Sequence, residues 1–391
     1  MKLKEICENI TDGSHNPPSG IEGSEYLMLS SKNVFNDKIT LEEPRYLSEE
    51  QFLVEDKRTC IKAGDVLMTI VGTVGRAAVV TNDIPKITLQ RSVAVLHPIS
   101  DVCNSRFLMY LLQSKKKFFE QEAHGVAQKG IYLKQLSEIS VSLPAISQQE
   151  DIVDKLDRIN KIIKSRQLEL DKLDELIKAR FVEMFGDPRI NPFKWDVVNI
   201  SEVVGGKVSN GFFAKRDDYC EDGNISVLGV ANIVNRMYSN LDDLPRTNAC
   251  DKDIEKFEVK YGDMLFCRSS LVAEGIGKAS IIPEGVGDNI LFECHVIRLP
   301  LDLDKCVPEF MQTLSTMDYF RNQVISQSKT ATMTTIGQDG ILKTDIILPP
   351  IEKQKEFYDF VKQVDKSKVA VQKALDEAQL LFDSLMQEYF G

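Results

Sequence analysis

The sequence predicts an α+β fold in which two globular α/β domains are each followed by a long helix, with the two helices packed as an antiparallel coiled coil. Three observations support this prediction. The chain repeats itself, the repeated segment has a helical heptad pattern, and the regions before it alternate short apolar strands with amphipathic helices. At 391 residues the chain also exceeds what one ordinary hydrophobic core needs. We therefore expect a pseudo-two-fold internal repeat.

The repeat is clearest at the ends of the two halves. Residues 143–186 begin LPAISQQEDIVDKL and end FVEMFG, and residues 348–391 begin LPPIEKQKEFYDFV and end MQEYFG. Aligned without a gap, these segments share 13 identities in 44 positions. A second matching block pairs IKAGDVLMTIVGTVGRAAVV (61–80) with VKYGDMLFCRSSLVAEGIGKASII (259–282). An internal duplication explains both matches.

Both repeated segments carry apolar residues at the a and d positions of successive heptads, which predicts long helices with a coiled-coil seam. The predicted seam residues are Ile152, Leu156, Ile159, Ile163, Leu170, Leu173 and Ile177 in the first helix, and Phe357, Val361, Val364, Val371, Leu375, Phe382 and Leu385 in the second. We expect the two helices to pack against each other. Packing of each helix on its own domain, and dimerisation of the chain, are the alternatives.

Two charged residues, Arg166 and Lys368, interrupt the predicted seam. A buried charge at such a position is costly. These side chains either mark places where the helix pair opens towards partner subunits or extend to water along their aliphatic stems.

The regions before the long helices predict α+β domains. Short β-branched and aromatic runs are broken by Gly and Pro, and each half then has an amphipathic segment, 105–121 or 308–323, that predicts one helix. EISVSLP and DIILP predict a closing strand before each long helix. The predicted boundaries are 1–142, 143–186, 187–347 and 348–391.

The composition favours a cytoplasmic protein without a membrane span, because acidic residues stand where a signal peptide needs its apolar core. The formal net charge of −11 argues weakly against nucleic acid as a partner. However, residues 57–134 hold 12 Lys/Arg against 5 Asp/Glu, so one region is locally basic.

The sequence contains no recognisable catalytic or metal-binding motif. The eight cysteines form no C-x-x-C pair, and the four histidines are isolated from one another. NPPS at 16–19 lacks the aromatic residue of an adenine methyltransferase motif, and GTVG at 72–75 is too short for a phosphate loop. We therefore predict a binding protein rather than an enzyme.

A duplicated unit on an antiparallel helical spacer imitates a two-fold dimer within one chain and presents two unequal binding domains. Dimers of that design bind two half-sites along DNA. The two halves of such a target should differ here, because the two domains differ in sequence.

The chain resembles the specificity subunit of a type I restriction-modification system over essentially its whole length. The residues that carry the resemblance are LKEICENITDGSHNPP at the N-terminus, the two Gly-Asp blocks, and AQKGIYLKQLSEISVSLPAISQQEDIVDKLD leading into the first long helix. The second half departs from this pattern, because SKTAT (328–332) stands in place of the Gln-Lys-Gly motif.

The resemblance implies a non-catalytic subunit with two target-recognition domains, 1–142 and 187–347, that each recognise one half of a bipartite, asymmetric site in double-stranded DNA. It implies that the helices 143–186 and 348–391 set the spacing and dock two modification subunits, which supply S-adenosylmethionine. Restriction subunits would add the chemistry of ATP and Mg²⁺. A coiled-coil adaptor joining two protein-binding domains is the alternative.

The predicted DNA contacts are polar and basic residues on loops or strand edges, since these side chains bind phosphates and base edges. In the first half they are Ser14 and His15 after a predicted Asp12-Gly13 turn, together with Arg76, Arg91, Gln128 and Lys129. In the second half they are Asn210, Lys215, Arg216, Arg268, Ser269, Lys329 and Thr330. The run Lys115–Lys117 is predicted to be a solvated helix face.

Overall fold

The structure is a computed structural model that describes residues 1–123, 130–330 and 333–391, and it confirms the predicted α+β class. The chain divides into two compact units. Unit 1 comprises Met1–Gln167 and Lys373–Gly391, and unit 2 comprises Leu168–Gln372. The two long helices, α6 (Ile146–Phe185) and α12 (Ile351–Phe390), therefore contribute residues to both units. The four predicted domain boundaries remain a prediction.

Unit 1 combines nine short strands with five short helices in its described part. The strands are β1 (Cys7–Asp12), β2 (Tyr26–Leu29), β3 (Val34–Phe35), β4 (Lys38–Ile39), β5 (Arg45–Leu47), β6 (Val66–Thr69), β7 (Ala77–Val79), β8 (Ile87–Leu89) and β9 (Val93–Pro98). The helices are α1 (Leu3–Ile6), α2 (Glu49–Thr59), α3 (Ser105–Ser114), α4 (Lys116–Glu122) and α5 (Leu133–Ser137). An antiparallel sheet in the order β1-β9-β6-β7 lies beside a three-stranded sheet, β5-β2-β8, whose β2 and β8 are parallel.

Unit 2 repeats this architecture with additional strands. The strands are β10 (Asp196–Asn199), β11 (Ser209–Asn210), β12 (Ile225–Leu228), β13 (Arg246–Thr247), β14 (Asp263–Cys267), β15 (Ser269–Ser270), β16 (Ala279–Ile281), β17 (Ile290–Phe292), β18 (Val296–Pro300), β19 (Lys329–Thr330), β20 (Thr334–Thr335) and β21 (Asp345–Leu348). The short helices are α7 (Val230–Ile233), α8 (Asp251–Phe257), α9 (Pro308–Ser315), α10 (Asp318–Ser326) and α11 (Gln338–Leu342). Here the antiparallel sheet has the order β11-β18-β14-β16 and the mixed sheet the order β13-β12-β17.

The matched Gly-Asp pairs form the same turn in both units. Gly64 and Gly262 have φ angles of +91° and +83°, a backbone conformation that glycine adopts without steric cost. Asp65 Oδ2 then accepts a hydrogen bond from the backbone N–H of Lys62 at 2.6 Å, and Asp263 Oδ2 accepts the corresponding bond from residue 260 at 2.8 Å. This local chemistry explains why these two residue types recur in both halves of the sequence.

The long helices pair antiparallel within each unit. In unit 1, Val153 and Leu156 near the start of α6 share a core with Phe382 and Phe390 near the end of α12. In unit 2, the ring of Phe181 near the end of α6 contacts a ring near the start of α12, with centroids 5.6 Å apart. Gly186, with φ +78°, follows the last residue of α6, a position where glycine commonly ends a helix.

The fourteen predicted seam residues are all buried or half-buried in the structure. Lys368, which interrupts the seam, donates a hydrogen bond from Nζ to Oδ1 of Asp174 at 2.7 Å. Arg166 is half-buried. The seam therefore accommodates a lysine by placing a carboxylate on the facing helix.

Two details of the predicted elements are wrong. Each predicted amphipathic helix is broken into two, α3–α4 and α9–α10, because Lys115 leaves helical geometry with ψ 10° and Met317 is extended. The segment EISVSLP forms a single bridge, between Ser140 and Lys2, rather than a strand. The chain enters helix α1 at Leu3, so this segment lacks the strand partner that β10 provides for β21 in unit 2.

None of the helices within the described ranges combines the length and the apolar character that crossing a membrane requires.

Candidate nucleic-acid interface

In each unit, loop residues that follow or precede three strands lie together at one end of the antiparallel sheet. In unit 1, β1 ends where β9 begins, since Asp12 pairs with Ala94, and β6 ends opposite Val93. In unit 2, Asn210 at the end of β11 pairs with Ile297 near the start of β18, and β14 also ends there. We call this end of the sheet the strand-end face. It comprises residues 12–15, 69–71 and 90–93 in unit 1, and residues 210–213, 268–270 and 293–296 in unit 2.

At this face, a glycine in each unit lets the chain pass close to the backbone of another strand, β8 in unit 1 and β17 in unit 2. We call this close approach the glycine crossing. A Cβ atom on Gly13 would lie 2.0 Å from the carbonyl oxygen of Leu89, and one on Gly211 would lie 2.2 Å from that of Phe292. The prediction of an Asp12-Gly13 turn is wrong. Gly13 instead donates its N–H to the Val93 carbonyl at 3.2 Å, and the chain remains extended.

The predicted residues Ser14, His15 and Arg91 of unit 1 come together at the strand-end face. Ser14 is buried, and its carbonyl accepts the N–H of Arg91 at 2.9 Å. His15 is exposed, and its Nε2 lies 2.8 Å from Oδ2 of Asp12, whose other oxygen pairs with Arg58. The exposed polar groups here are therefore His15 and Arg91, with Asp12 fixing the orientation of the imidazole.

Arg76 lies apart from that group. Its backbone N–H donates to Oγ1 of Thr69 at 3.0 Å, but its guanidinium lies 4.9 Å from the ring centroid of Phe35. A cation over an aromatic face is held in place by the ring quadrupole. Gln128 and Lys129 lie outside the described residues.

Unit 2 brings together Asn210, Arg268, Ser269, Lys329 and Thr330. The first two lie at the ends of β11 and β14, on either side of β18 in the antiparallel sheet. The other three belong to a small antiparallel sheet of order β15-β20-β19, which begins one residue after Arg268.

Arg268 is anchored by its surroundings. Its guanidinium donates to the Cys294 carbonyl at 3.2 Å, and its backbone N–H donates to the His295 carbonyl at 2.8 Å. Lys215 and Arg216 are exposed and lie on a separate 3-10 turn, closed by a bond from the Lys215 N–H to Oδ2 of Asp218 at 2.8 Å.

Two residues at or beside this face were not predicted from the sequence. Nε2 of Gln338 donates to Oδ1 of Asn210 at 3.2 Å, although the two are 128 positions apart. His295 is isolated from the other histidines in the sequence, and no motif near it indicates that it lies beside Arg268. Only the pairing of β18 with β14 brings those positions together.

The titratable groups near this face favour binding over catalysis. Burial raises the pKa of the Cys267 and Cys294 thiols, which keeps both protonated at neutral pH and therefore poor nucleophiles. Within the described ranges, no group of three or more His, Cys, Asp or Glu side chains is arranged to hold a metal ion. The described face therefore offers hydrogen-bond donors and acceptors to a ligand.

Comparison with known proteins identifies the class of chain that carries these features. A family model described as the type I restriction modification DNA specificity domain matches residues 1–174 and again residues 192–378. The chain belongs to this family, whose members are the non-catalytic subunits that give type I restriction-modification systems their DNA sequence specificity.

Individual relatives are distant. The type I restriction enzyme MjaVIII specificity subunit of Methanocaldococcus jannaschii is 22% identical over 293 residues, which cover 71% of this chain and 67% of the relative. The EcoKI specificity subunit of Escherichia coli (strain K12) is 22% identical over 268 residues, covering 64% of this chain and 55% of the relative.

Solved structures support the fold. The type I restriction-modification system S subunit from M. genitalium has a TM-score of 0.54 at 12% identity, covering all of this chain and 95% of that one. A structure from a study of complex assembly and conformational transition of the type I R-M system has a TM-score of 0.51 at 15% identity, covering all of this chain and 96% of that one.

Proposed function

We propose that the strand-end face of each unit recognises one half of a bipartite, asymmetric target in double-stranded DNA. The observation that carries this proposal is the convergence of polar residues in both units. His15 and Arg91 lie together at the strand-end face of unit 1, and Asn210, Arg268 and Ser269 lie together at that of unit 2. Arginine and asparagine bind base edges by paired hydrogen bonds, and serine can also contact them. Because the two sets differ, we expect the two halves of the target to differ.

The chain's charge fits a subunit that binds DNA inside a larger complex. A net charge of −11 opposes the approach of a polyanion, and phosphate contacts supply most of the affinity of DNA-binding proteins. We therefore propose that partner subunits provide many of the phosphate contacts, while this chain selects the sequence. The predicted partners are two modification subunits and the restriction subunits.

Exposed aliphatic residues on α6 and α12 support docking of the modification subunits along these helices. Exposed apolar side chains that together form a patch mark a surface for another protein. The residues concerned are Ile162, Leu168, Leu176, Val182, Val369, Leu380 and Leu381. In this proposal the helices also set the spacing between the half-sites, over the segments 143–186 and 348–391. S-adenosylmethionine is bound by the modification subunit, and ATP with Mg²⁺ by the restriction subunit.

The test is a methylation map of DNA from cells that co-express this chain with its modification subunit. We expect methyl-adenine in one bipartite, gapped motif. Replacing residues 1–142 with the matching region of a relative should change one half of that motif and leave the other half unaltered. If deletion of this chain leaves the methylation pattern unchanged, the proposal is wrong and the coiled-coil adaptor becomes the better account.

A further inference from the structure

The loop at the strand-end face is longer in unit 2 than in unit 1. The carbonyl of Ile70 accepts the N–H of Ile131 at 2.9 Å, and the carbonyl of Arg268 accepts that of Ile336 at 3.0 Å, so Ile70 and Arg268 are equivalent. Four residues separate Ile70 from Gly75, whereas eight separate Arg268 from Gly277. The second half of the chain therefore carries a four-residue insertion at this face.

The inserted residues place two aliphatic side chains in solvent. Leu271 is 83% exposed and Val272 is 58% exposed. In unit 1 the shorter loop has no such pair, because Val74 is buried in the core. Its counterpart in unit 2, Ile276, is equally buried. The insertion thus adds an exposed apolar tip, residues 271–272, without changing how the loop is anchored.

Two hydrogen bonds stabilise the tip. Oγ of Ser270 accepts the N–H of Val272 at 3.2 Å, and the Val272 carbonyl accepts the N–H of Gly275 at 3.1 Å. The loop is so tight that a Cβ on Gly275 would lie 2.2 Å from the Ser270 hydroxyl. Two adjacent aliphatic side chains that remain in water beside polar residues suit a contact surface for a ligand.

The neighbours of the tip indicate which groove of DNA it would meet. The tip follows directly on β15, an edge strand of the β15-β20-β19 sheet, whose described residues are Ser, Thr and Lys. Arg268 immediately precedes this strand. In the major groove each base pair presents a distinct pattern of hydrogen-bond donors and acceptors, whereas the pattern in the minor groove is degenerate. The hydrogen-bonding side chains beside the tip therefore favour the major groove.

We propose that Leu271 and Val272 contact the C5-methyl groups of thymine in the major groove of the half-site bound by unit 2. The thymine methyl is the apolar group that base edges present in this groove, and hydrogen-bonding side chains do not distinguish it. The inference rests on the proposed function. It assigns to unit 2 a kind of base recognition that the described loop of unit 1, which lacks the insertion, does not share.

The experiment uses the full chain assembled with its modification subunit and duplexes carrying the target identified by methylation mapping. Replacing each thymine of the unit 2 half-site by deoxyuridine removes one methyl group. We expect one such replacement to weaken binding roughly fourfold, the effect of losing about one buried methyl group. Deoxyuridine in the other half-site should leave binding unchanged. A double variant, Leu271→Ser with Val272→Ser, should bind the thymine and deoxyuridine duplexes equally.

The matched control is Ile190→Ser, which alters an equally exposed aliphatic residue of unit 2 away from the face. It should keep the preference for thymine. The inference is overturned if the unit 2 half-site contains no A·T pair, or if the double variant keeps the wild-type preference. It is also overturned if the double variant weakens binding to both duplexes by the same factor, as loss of an intercalating wedge would. Those results leave the bipartite motif intact, whereas failure of the proposed function would abolish the motif itself.

Discussion

Beside the long helices, the two units carry opposite charges at matching positions and neutralise charge in different ways. Asn33 Oδ1 accepts the N–H of Ser30 at 3.0 Å, and Asn232 Oδ1 accepts that of Gly229 at the same distance, so these segments are equivalent. Four residues later unit 1 has Asp37 and unit 2 has Arg236. The aligned positions therefore carry opposite charges. The backbone also differs there, because φ is +57° at Asp37 in unit 1 and at Asn235, one residue before Arg236, in unit 2.

In unit 1 this charge is neutralised by side chains of opposite sign. Asp37 pairs with Arg106 at 3.0 Å and with Lys164 at 2.5 Å. Arg106 also pairs with Asp157 at 2.6 Å, and Tyr110 donates its hydroxyl to the same carboxylate. Burial lowers the pKa of Arg106, but the hydrogen bond and charge of Asp157 and the charge of Asp37 outweigh burial and raise it.

Unit 2 places an acid where unit 1 has that arginine. Glu309 is the second residue of α9, as Arg106 is of α3, and it is 1% exposed. Tyr238 donates its hydroxyl to Glu309 Oε1 at 3.2 Å, while Oε2 has no hydrogen-bond partner in the described structure. Burial raises the pKa of Glu309 to about 7, and the charges of Asp365 and Glu284 add to the shift. Beside this group, unit 2 has a cavity of about 750 Å³ lined in part by Arg236, Tyr238 and Asp365.

The two units therefore separate the constrained features of the repeat from the variable ones. The Gly-Asp turn, the glycine crossing and the helix seam recur, because backbone geometry depends on them. The polar networks diverge, because a buried charge can be balanced either by an opposite charge or by a proton. The four predictions below test that distinction, beginning with the largest expected effect.

Neither unit should tolerate a side chain at the glycine crossing. Gly13→Val and Gly211→Val each place a Cβ within 2.2 Å of backbone carbonyl oxygens, which no side-chain rotation can relieve. We expect each variant to lose more than about 4 kcal/mol of unfolding free energy, with the loss of hydrogen-exchange protection concentrated in its own unit. Gly287→Ala, which has open space around the new Cβ, is the matched control. Native protection in either valine variant would contradict the claim.

Much of the repeat could be predicted from sequence because it depends on local patterns. The heptad spacing indicates the helices, and the Gly-Asp pair indicates a turn at the same place in both halves. The break at Lys115 was missed because SRFLMYLLQSKKKFFEQ is amphipathic on both sides of it. A hydrophobic pattern shows which side of a helix is buried. It does not show a change in helix direction.

Much of the candidate site could not be predicted, because its contacts join residues far apart in the chain. Ser14 and Arg91 are 77 positions apart, and nothing near either residue specifies the other. Arg268 could be predicted from the sequence, because it lies in the same repeated block as the Gly-Asp pair. Gln338 was missed because it reaches Asn210 through the tertiary fold. The four-residue insertion was visible in the alignment of the halves, but its exposure was not.

The protonated carboxyl of unit 2 should give the protein a distinct pH dependence. The pKa of Glu309 is about 7 in the folded chain against an ordinary value of 4.5, so the folded state binds this proton more tightly than the unfolded state. Its stabilising contribution is complete below pH 4.5 and is lost as the pH rises to 7. The loss is about 3 kcal/mol, at 1.36 kcal/mol for each pKa unit.

Glu309→Gln removes this titration and keeps an oxygen to accept the Tyr238 hydroxyl. Urea denaturation from pH 4.5 to pH 8 should show the variant gaining about 3 kcal/mol relative to wild type across that window. Glu284→Gln, a change in a neighbouring acid, serves as the control and should have a smaller effect. A constant difference between Glu309→Gln and wild type at all pH values would show that Glu309 is ionised in the folded chain.

The ion-pair network of unit 1 should depend on its arginine. Arg106→Met leaves Asp157 without its guanidinium partner and leaves Asp37 with Lys164 alone. Loss of one partner from a buried pair costs about 3–5 kcal/mol, and the side chain here is 34% exposed, so we expect about 2 kcal/mol. Urea denaturation of the variant and of wild type measures this loss. An unchanged unfolding free energy would show that the network does not depend on Arg106.

The smallest expected effect concerns the lysine in the helix seam. Lys368 pairs with Asp174, but the Asp174 side chain is 59% exposed, so the pair lies near solvent. Exposed pairs contribute about 0–1 kcal/mol, and a methionine of similar length would bury its side chain in the seam. Lys368→Met should therefore change the unfolding free energy by no more than about 1 kcal/mol. Phe357→Ala, at a buried position of the same helix, should cost about 3–5 kcal/mol.

Assembly with the modification subunit distinguishes the two interpretations of this lysine. If the side chain extends to water beside Asp174, Lys368→Met should assemble as wild type does, as measured by analytical ultracentrifugation. If the helix pair opens there towards a partner, the same variant should assemble poorly while its unfolding free energy stays unchanged. The contact with Asp174 at 2.7 Å supports the first interpretation, because a charge satisfied within the helix pair needs no partner subunit to neutralise it.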